Sequence, residues 1–236
     1  MNARGFKMAN EMDTSARRMI LVTSAKELPS TFEESGFHPL QSSQVFAAFH
    51  AAGLWLGPRD VLEHLPSFRQ IIPYVVLRVG DRFVRYTRTP AGREGRLHGR
   101  MSLGLGGHID LSDIVSVNDC VDLEKTLGDA ARREVDEELG SVDCVSKEWI
   151  GVLVDNDTDV GQVHIGVVAI WDLSFLPLGV SEDAIGEVEL CSIEDLENSR
   201  DRLEGWSEML LEYITDPSLS RSVELGVNFV NRSQFS

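Results

Sequence analysis

The run "ARREVDEELGS", residues 131 to 141, sets narrow terms for any fold that contains it. The apolar spacing predicts a helix from about Leu123 to Leu139, closed by Gly140 at the C-cap position. At about 100° per residue, Leu127, Ala131 and Val135 share one face, suited to packing on a sheet, while Glu134, Glu137 and Glu138 share another. Like charges three and four residues apart repel by a few tenths of a kcal/mol per pair, so the helix gains nothing from them. Two readings remain open on these residues alone. They form a solvated acidic face, or they supply carboxylates to a hard divalent cation such as Mg²⁺, which prefers carboxylate and carbonyl oxygens plus water.

Two neighbouring stretches bear on that choice. In "GLGGHID", Gly104 to Asp110, the pair Gly106-Gly107 lets backbone carbonyls approach an ion or phosphate closely, although glycines there also suit an ordinary loop. Residues 78 to 100 hold seven arginines against Asp81 and Glu94, in a chain whose formal net charge is -16. The guanidinium fork matches phosphate oxygens, so a cationic wall beside a carboxylate cluster suggests a site for a metal-bound polyphosphate. For any one of these arginines the plainer reading is a solvated strand or loop residue.

The acidic balance, 22 Lys and Arg against 38 Asp and Glu, argues against a general affinity for nucleic acid or anionic lipid. Cys120, Cys144 and Cys191 are odd in number and lack CxxC spacing, which argues against a disulfide framework or zinc site and fits a reducing cytoplasm best. Met19-Ile20-Leu21-Val22 is too short an apolar run for a signal sequence or a membrane span. Residues 1–18 are polar and without periodicity, and read as a disordered leader or as an overlong start, in which nothing functional is sought. Residues 19–69 read as an N-terminal α/β extension packed on the main domain, including a helix in "SSQVFAAFHAAGLWL" with Val45, Phe46, Phe49, Ala52 and Leu54 on one apolar face. The main domain, 70–236, opens with a hairpin turning at Gly80-Asp81 in "QIIPYVVLRVGDRFVRYTRT". Further strands are expected in "WIGVLVDN", "VHIGVVAIWDL" and "GEVELCSI". The domain closes with one or two helices that place Leu203, Trp206, Leu210 and Ile214 on a buried stripe, and Tyr74 and Trp171 read as core residues.

"GGHID" followed by "ARREVDEELGS" resembles the signature of the Nudix hydrolases, and the likeness extends over about residues 70 to 215. Arg133-Glu134-Val135-Asp136-Glu137-Glu138-Leu139-Gly140 matches the second half of that box without a gap, ending in Ser141 where the pattern has an aliphatic residue. The first half departs. Gly107 fits the box glycine, but an insertion of about twelve residues, "LSDIVSVNDCVD", lies between it and Glu134, and Lys125 stands at the place of the early box glutamate. That glutamate helps to hold the box arginine in the family, so Asp129, one turn before Arg133, becomes the expected substitute. "IIPYVVL", "GRMSLGLGGHID" and "VGQVHIGVV" resemble a bacterial subgroup with a long-loop "GGH" box.

The resemblance implies an α+β fold, an α/β/α sandwich around a mixed sheet, and a pyrophosphohydrolase that cleaves a nucleoside diphosphate linked to another group. It implies Mg²⁺, with Mn²⁺ as a substitute, held by Glu134, Glu137 and Glu138 with the Gly106 carbonyl, and water attack on phosphorus. Arg133 would belong to the catalytic set, and Glu182 or Glu187 would be candidates for the general base beside the box glutamates. Arg85, Arg88, Arg96, Arg100, Gly107 and His108 would bind the substrate, with His164 nearby, although each histidine could equally be structural. The partner would be a small phosphorylated molecule, with the extension free to cover a sheet edge, shape the pocket or support a homodimer. Two alternatives stand beside this reading. One is a non-catalytic Nudix module that binds a nucleotide. The other is an isopentenyl-diphosphate isomerase, against which no cysteine lies on a strand just before the glycine loop.

Overall fold

The computed structural model describes residues 18–90, 99–176 and 185–215. The N-terminal part supplies β1 (Met19–Ser24), β2 (Gly36–Pro39), α1 (Ser42–Ala52), β3 (Leu54–Pro58) and the one-turn α2 (Arg59–Leu62). The long β4 (Phe68–Val79) and β5 (Arg82–Arg88) form the expected hairpin, followed by β6 (Met101–Ser102) and β7 (Gly104–Gly106). A two-stranded hairpin, β8 (Ser116–Val117) and β9 (Cys120–Val121), precedes α3 (Leu123–Leu139). Then come β10 (Cys144–Val154), β11 (His164–Leu173), β12 (Ile185–Cys191), α4 (Ile193–Glu197) and α5 (Gly205–Thr215).

All strands but the β8–β9 hairpin join one mixed sheet, whose main path runs β12-β5-β4-β11-β10-β2. β4 pairs in parallel with β11, from Gln70 opposite His164 to Arg78 opposite Asp172. β4 is buried almost throughout because both of its faces are covered. Successive side chains point to opposite faces of a strand. Ile71, Val75 and Leu77 therefore pack with residues of α1 and α3, and Tyr74 and Val76 with residues of α4 and α5. The result is an α/β/α sandwich around a mixed sheet. Tyr74 and Trp171 lie in its core, at 3% and 1% exposure.

Residues 19–58 add strands to the same sheet. β1 pairs with the start of β4, Val22 opposite Gln70, and with β3 on its other side, while β2 pairs with β10. The helix expected to run through "GLWL" stops earlier, at Ala52. Gly53 sits at φ +85°, and a Cβ there would lie 2.3 Å from the Trp55 ring, so the chain turns and Leu54 begins a strand instead of extending the helical face. At the other end the helical tail divides into α4 and α5 with a 3₁₀ turn at Arg200–Arg202 between them. Leu203 and Leu210 are buried there, and Trp206 and Ile214 pack half-buried against the same cluster.

Candidate active site

Helix α3 is held at both ends and along one side. The Asp122 side chain accepts a hydrogen bond from the Lys125 amide at 3.1 Å, and the Gly140 N–H donates to the Asp136 carbonyl at 3.0 Å. Leu127, Ala131 and Val135 are completely buried, which fixes the rotation of the helix and leaves Glu134, Glu137 and Glu138 on its other side. The insertion before it is ordered. Leu111–Asp113 forms a 3₁₀ turn, and Asn118 and Asp119, at φ +51° and +63°, make a tight two-residue turn between β8 and β9. Because α3 already begins at Leu123, Lys125 lies inside it, about 12 Å along the axis from Arg133 at 1.5 Å per residue. A glutamate in that place would not reach Arg133.

Asp113 reaches it instead. Arg133 donates from Nε to Asp113 Oδ1 at 3.0 Å and from Nη2 to Asp113 Oδ2 at 2.8 Å. Nη2 also donates to the His108 carbonyl at 2.9 Å, and Nη1 to Glu134 at 2.7 Å and Glu137 at 3.4 Å. Asp129, the partner expected from helical spacing, is not among these contacts. The Asp113 hydrogen bonds, ahead of Glu134, hold the guanidinium charged above its ordinary pKa even though burial opposes this. One side chain thus joins the inserted loop, the glycine loop and two of the box carboxylates.

Glu134 and Gly107 are in direct apposition. A Cβ placed on Gly107 would lie 2.0 Å from the Glu134 carboxyl carbon and 2.1 and 2.3 Å from its oxygens, so only glycine leaves the carboxylate this position. Glu134 has a side-chain exposure of 13%, and burial raises its pKa despite Arg133. Glu137 is 50% exposed and Glu138 half-buried. Among the described residues no three His, Cys, Asp or Glu side chains are already gathered tightly enough to enclose an ion. A Mg²⁺-type cation does not need such a cage, since it keeps several waters and takes one or two carboxylates. The donor set of α3 carboxylates beside a glycine backbone pressed against one of them fits that requirement. Gly106, at the end of β7, is opposite Tyr74 of β4, which fixes the glycine loop on the sheet beside α3.

The arginines separate. Arg88 shares the α3 face of β5 with Val84 and Tyr86, its guanidinium 5.4 Å from the centre of the Tyr86 ring. Burial lowers its pKa, but neighbouring acidic groups, Glu138 and Glu204 among them, outweigh burial and keep it above the ordinary arginine value. Arg85 is three residues away and faces the other layer. It is 7% exposed, donates to Glu189 at 2.6 and 3.2 Å, and also contacts Ser199 and the Asp195 carbonyl. A cavity of about 230 Å³ lined by Arg85, Glu189, Asp195, Ser199 and Arg202 lies on that α4 side. Arg85 is therefore turned away from the glutamate face and engaged in an ion pair between β5 and β12. Arg100 donates to the Asp201 carbonyl at 2.6 Å, near the 3₁₀ turn that precedes α5. Glu187 is exposed on the edge strand β12, where the register with β5 shifts. Arg96 and Glu182 lie outside the described residues.

His108 is turned toward the N-terminal side of the sheet. Its Nε2 lies 2.7 Å from Gln70 Oε1 and 3.4 Å from His164 Nε2, and His164 Nδ1 lies 2.7 Å from the Val160 carbonyl. Desolvation, ahead of Arg59, His164, Arg18 and Arg133, pushes its pKa well below the ordinary histidine value, so the ring is neutral. The neutral His108 ring is hydrogen-bonded through Nε2 to the Gln70 amide. Its side chain is committed to this inner network, and it is the His108 carbonyl that joins the glutamate side through Arg133.

Three residues escaped the sequence reading. Asp113 was noticed only as part of an insertion, although "DLSD" carries a capping pattern that the structure realises: the Asp110 N–H donates to Asp113 Oδ2 at 2.8 Å. Asp110 is itself held by two contacts from Arg18, the last residue of the segment expected to be a leader without function. Gln70, buried and polar in an apolar strand, was the third.

No family model matches the chain. Protein YmaB of Bacillus subtilis (strain 168) is 30% identical over 177 residues, spanning 73% of this chain and 83% of that protein. The crystal structure of Tm1382, a protein placed among the Nudix hydrolases, superposes with a TM-score of 0.66 at 28% identity, covering 88% of this chain and 99% of that one.

Proposed function

The chain belongs to the Nudix hydrolase family, and from that premise we propose that it hydrolyses the phosphoanhydride bond of a small nucleoside-diphosphate-type substrate with a Mg²⁺-type cation. The observation that carries this reading is the seating of the Glu134 carboxylate against Gly107, with Arg133 tying both to the glycine loop. Glu134 and Glu138, with Glu137 and the Gly106 carbonyl, would hold the cation, and Mn²⁺ would substitute for Mg²⁺. When bound, such a cation polarises a phosphate and activates water.

The chain's own residues supply the rest. Arg88, on the α3 face of β5 and charged, would meet phosphate oxygens and stabilise charge that develops on them. The proton of the attacking water would pass to a carboxylate: a box glutamate, Glu187 of β12, or Glu182, which lies outside the described residues. Single glutamine variants separate these. A net charge of -16 disfavours nucleic acid as substrate, leaving a small phosphorylated molecule. All three cysteines are free thiols, which suits a reducing cytoplasm, and among the described residues no helix is long and apolar enough to cross a membrane.

A phosphate-release screen tests the proposal with nucleotide sugars, dinucleoside polyphosphates, ADP-ribose, NADH and nucleoside triphosphates, with Mg²⁺ or Mn²⁺. Activity is expected on at least one diphosphate and is lost in EDTA and in Glu138→Gln. Activity that survives both sinks the assignment. Tight binding of one nucleotide with no hydrolysis across the panel would make the chain a binding module instead.

A further inference from the structure

Glu134 and Glu137 present a difficulty for cation binding, because both already face Arg133. A guanidinium has five N–H donors in a planar fork and prefers to grip a carboxylate with two of them. Left to itself, Arg133 would turn that fork onto Glu134 or Glu137, neutralise them and occupy the oxygens a cation needs. In the structure it does not. Nε and Nη2 are both engaged by the two oxygens of Asp113, and Nη2 by the His108 carbonyl as well, so only Nη1 is directed at the box glutamates.

We infer that Asp113 is a positioning residue that restrains Arg133 and so keeps Glu134 and Glu137 available to a divalent cation, and that the N-terminal segment holds Asp113 in place. This rests on the reading of the site as a cation-dependent hydrolase. Asp113 is equipped for the task. It is 8% exposed, and the Asp110 N–H donates to its Oδ2. Asp110 in turn is gripped by the Arg18 guanidinium through both of its carboxylate oxygens. The backbone beside it is stitched to β1, with the Leu21 N–H donating to the Ile109 carbonyl at 2.9 Å and an isolated bridge between Ile20 and Asp110. The path therefore runs Arg18, Asp110, Asp113, Arg133, Glu134, with a hydrogen bond or ion pair at each step, the one from Asp110 to Asp113 being made by the Asp110 backbone N–H. It gives the N-terminal strand and the insertion one shared task at the site.

The test is Mn²⁺ affinity, read by calorimetric titration of the full chain without substrate, with kcat and KM measured in parallel. Asp113→Asn keeps the shape and removes the charge, and is expected to weaken Mn²⁺ binding by roughly 10- to 100-fold, the usual cost of losing a group that orients a metal ligand. The second variant carries Asp113→Asn together with Arg133→Gln. If Asp113 acts by restraining Arg133, removing the arginine's charge restores most of the lost affinity. If Asp113 merely supports the loop, the double variant stays as weak as the single one or weaker, and the inference fails. It fails also if Asp113→Asn binds Mn²⁺ as the unaltered chain does. Should Asp113→Asn not fold, Arg18→Gln decides: several-fold weaker Mn²⁺ binding is expected from a folded protein, and unchanged binding refutes the path. An unaltered chain that binds no Mn²⁺ overturns the cation-dependent reading itself, an outcome distinct from any of these.

Discussion

Gly107→Ala puts one methyl group where the structure has the least room for it. The added Cβ would lie 2.0 Å from the Glu134 carboxyl carbon, against a practical floor of 3.0 Å and ordinary contact from 3.4 Å, so the carboxylate must retreat by 1.0 to 1.4 Å. Gly107 has no positive φ, so alanine meets no backbone strain and the whole effect falls on Glu134. The carboxylate is the end of a flexible side chain and can move. Doing so disturbs the 2.7 Å pair with Arg133, whose bonds to Asp113 remain. A pair of this partial exposure contributes no more than about 1 kcal/mol, which for a chain of this size lowers Tm by roughly 2–4 °C. Catalysis is less tolerant, because displacement of a catalytic group by about 1 Å costs on the order of 100-fold. That corresponds to about 2.7 kcal/mol of transition-state stabilisation. The assay pairs thermal melting in EDTA with kcat/KM on the best diphosphate from the screen. A folded Gly107→Ala protein with kcat/KM within threefold of the unaltered chain would refute the claim that Glu134 is used where it sits.

Gly128 provides the contrast, since it lies within α3 and a Cβ there meets nothing within 4 Å. Gly128→Ala is expected to stabilise the protein by up to about 1 kcal/mol, the helix propensity difference, with kcat/KM unchanged; a lower melting temperature would count against the assigned helix. Glu134 yields a pH prediction. Burial raises its folded-state pKa above the usual 4.5, so the charged form disfavours folding, and stability is lost as pH rises through the raised value. Glu134→Gln should therefore melt at or above the temperature of the unaltered chain at pH 7.5 in EDTA, with the difference shrinking toward pH 4.5. A clear loss of stability at pH 7.5 would show that the Arg133 pair outweighs desolvation.

Periodic features were legible from the chain alone, while contacts between distant segments were not. The extent of α3, its buried stripe and its Gly140 cap follow from 3.6-residue spacing, and the β4–β5 hairpin from apolar runs around Gly80-Asp81. The arginines of β5 are divided by the same kind of rule. Arg85 and Arg88 are an odd number of residues apart on one strand, so they face opposite layers, one toward Glu189 and the other toward the Glu138 side. Charge counted along the sequence merged what the strand separates. The partner of Arg133 was lost for a different reason. Helical spacing offers only neighbours such as Asp129, whereas Asp113 comes from twenty residues upstream and reaches Arg133 because a 3₁₀ turn, a hairpin and the N-terminal strand bring it there. No local pattern encodes that closure, since it is set by where β1 joins the sheet. The departure from the family pattern at Lys125 therefore leaves Arg133 anchored, with its anchor supplied from the loop that breaks the pattern.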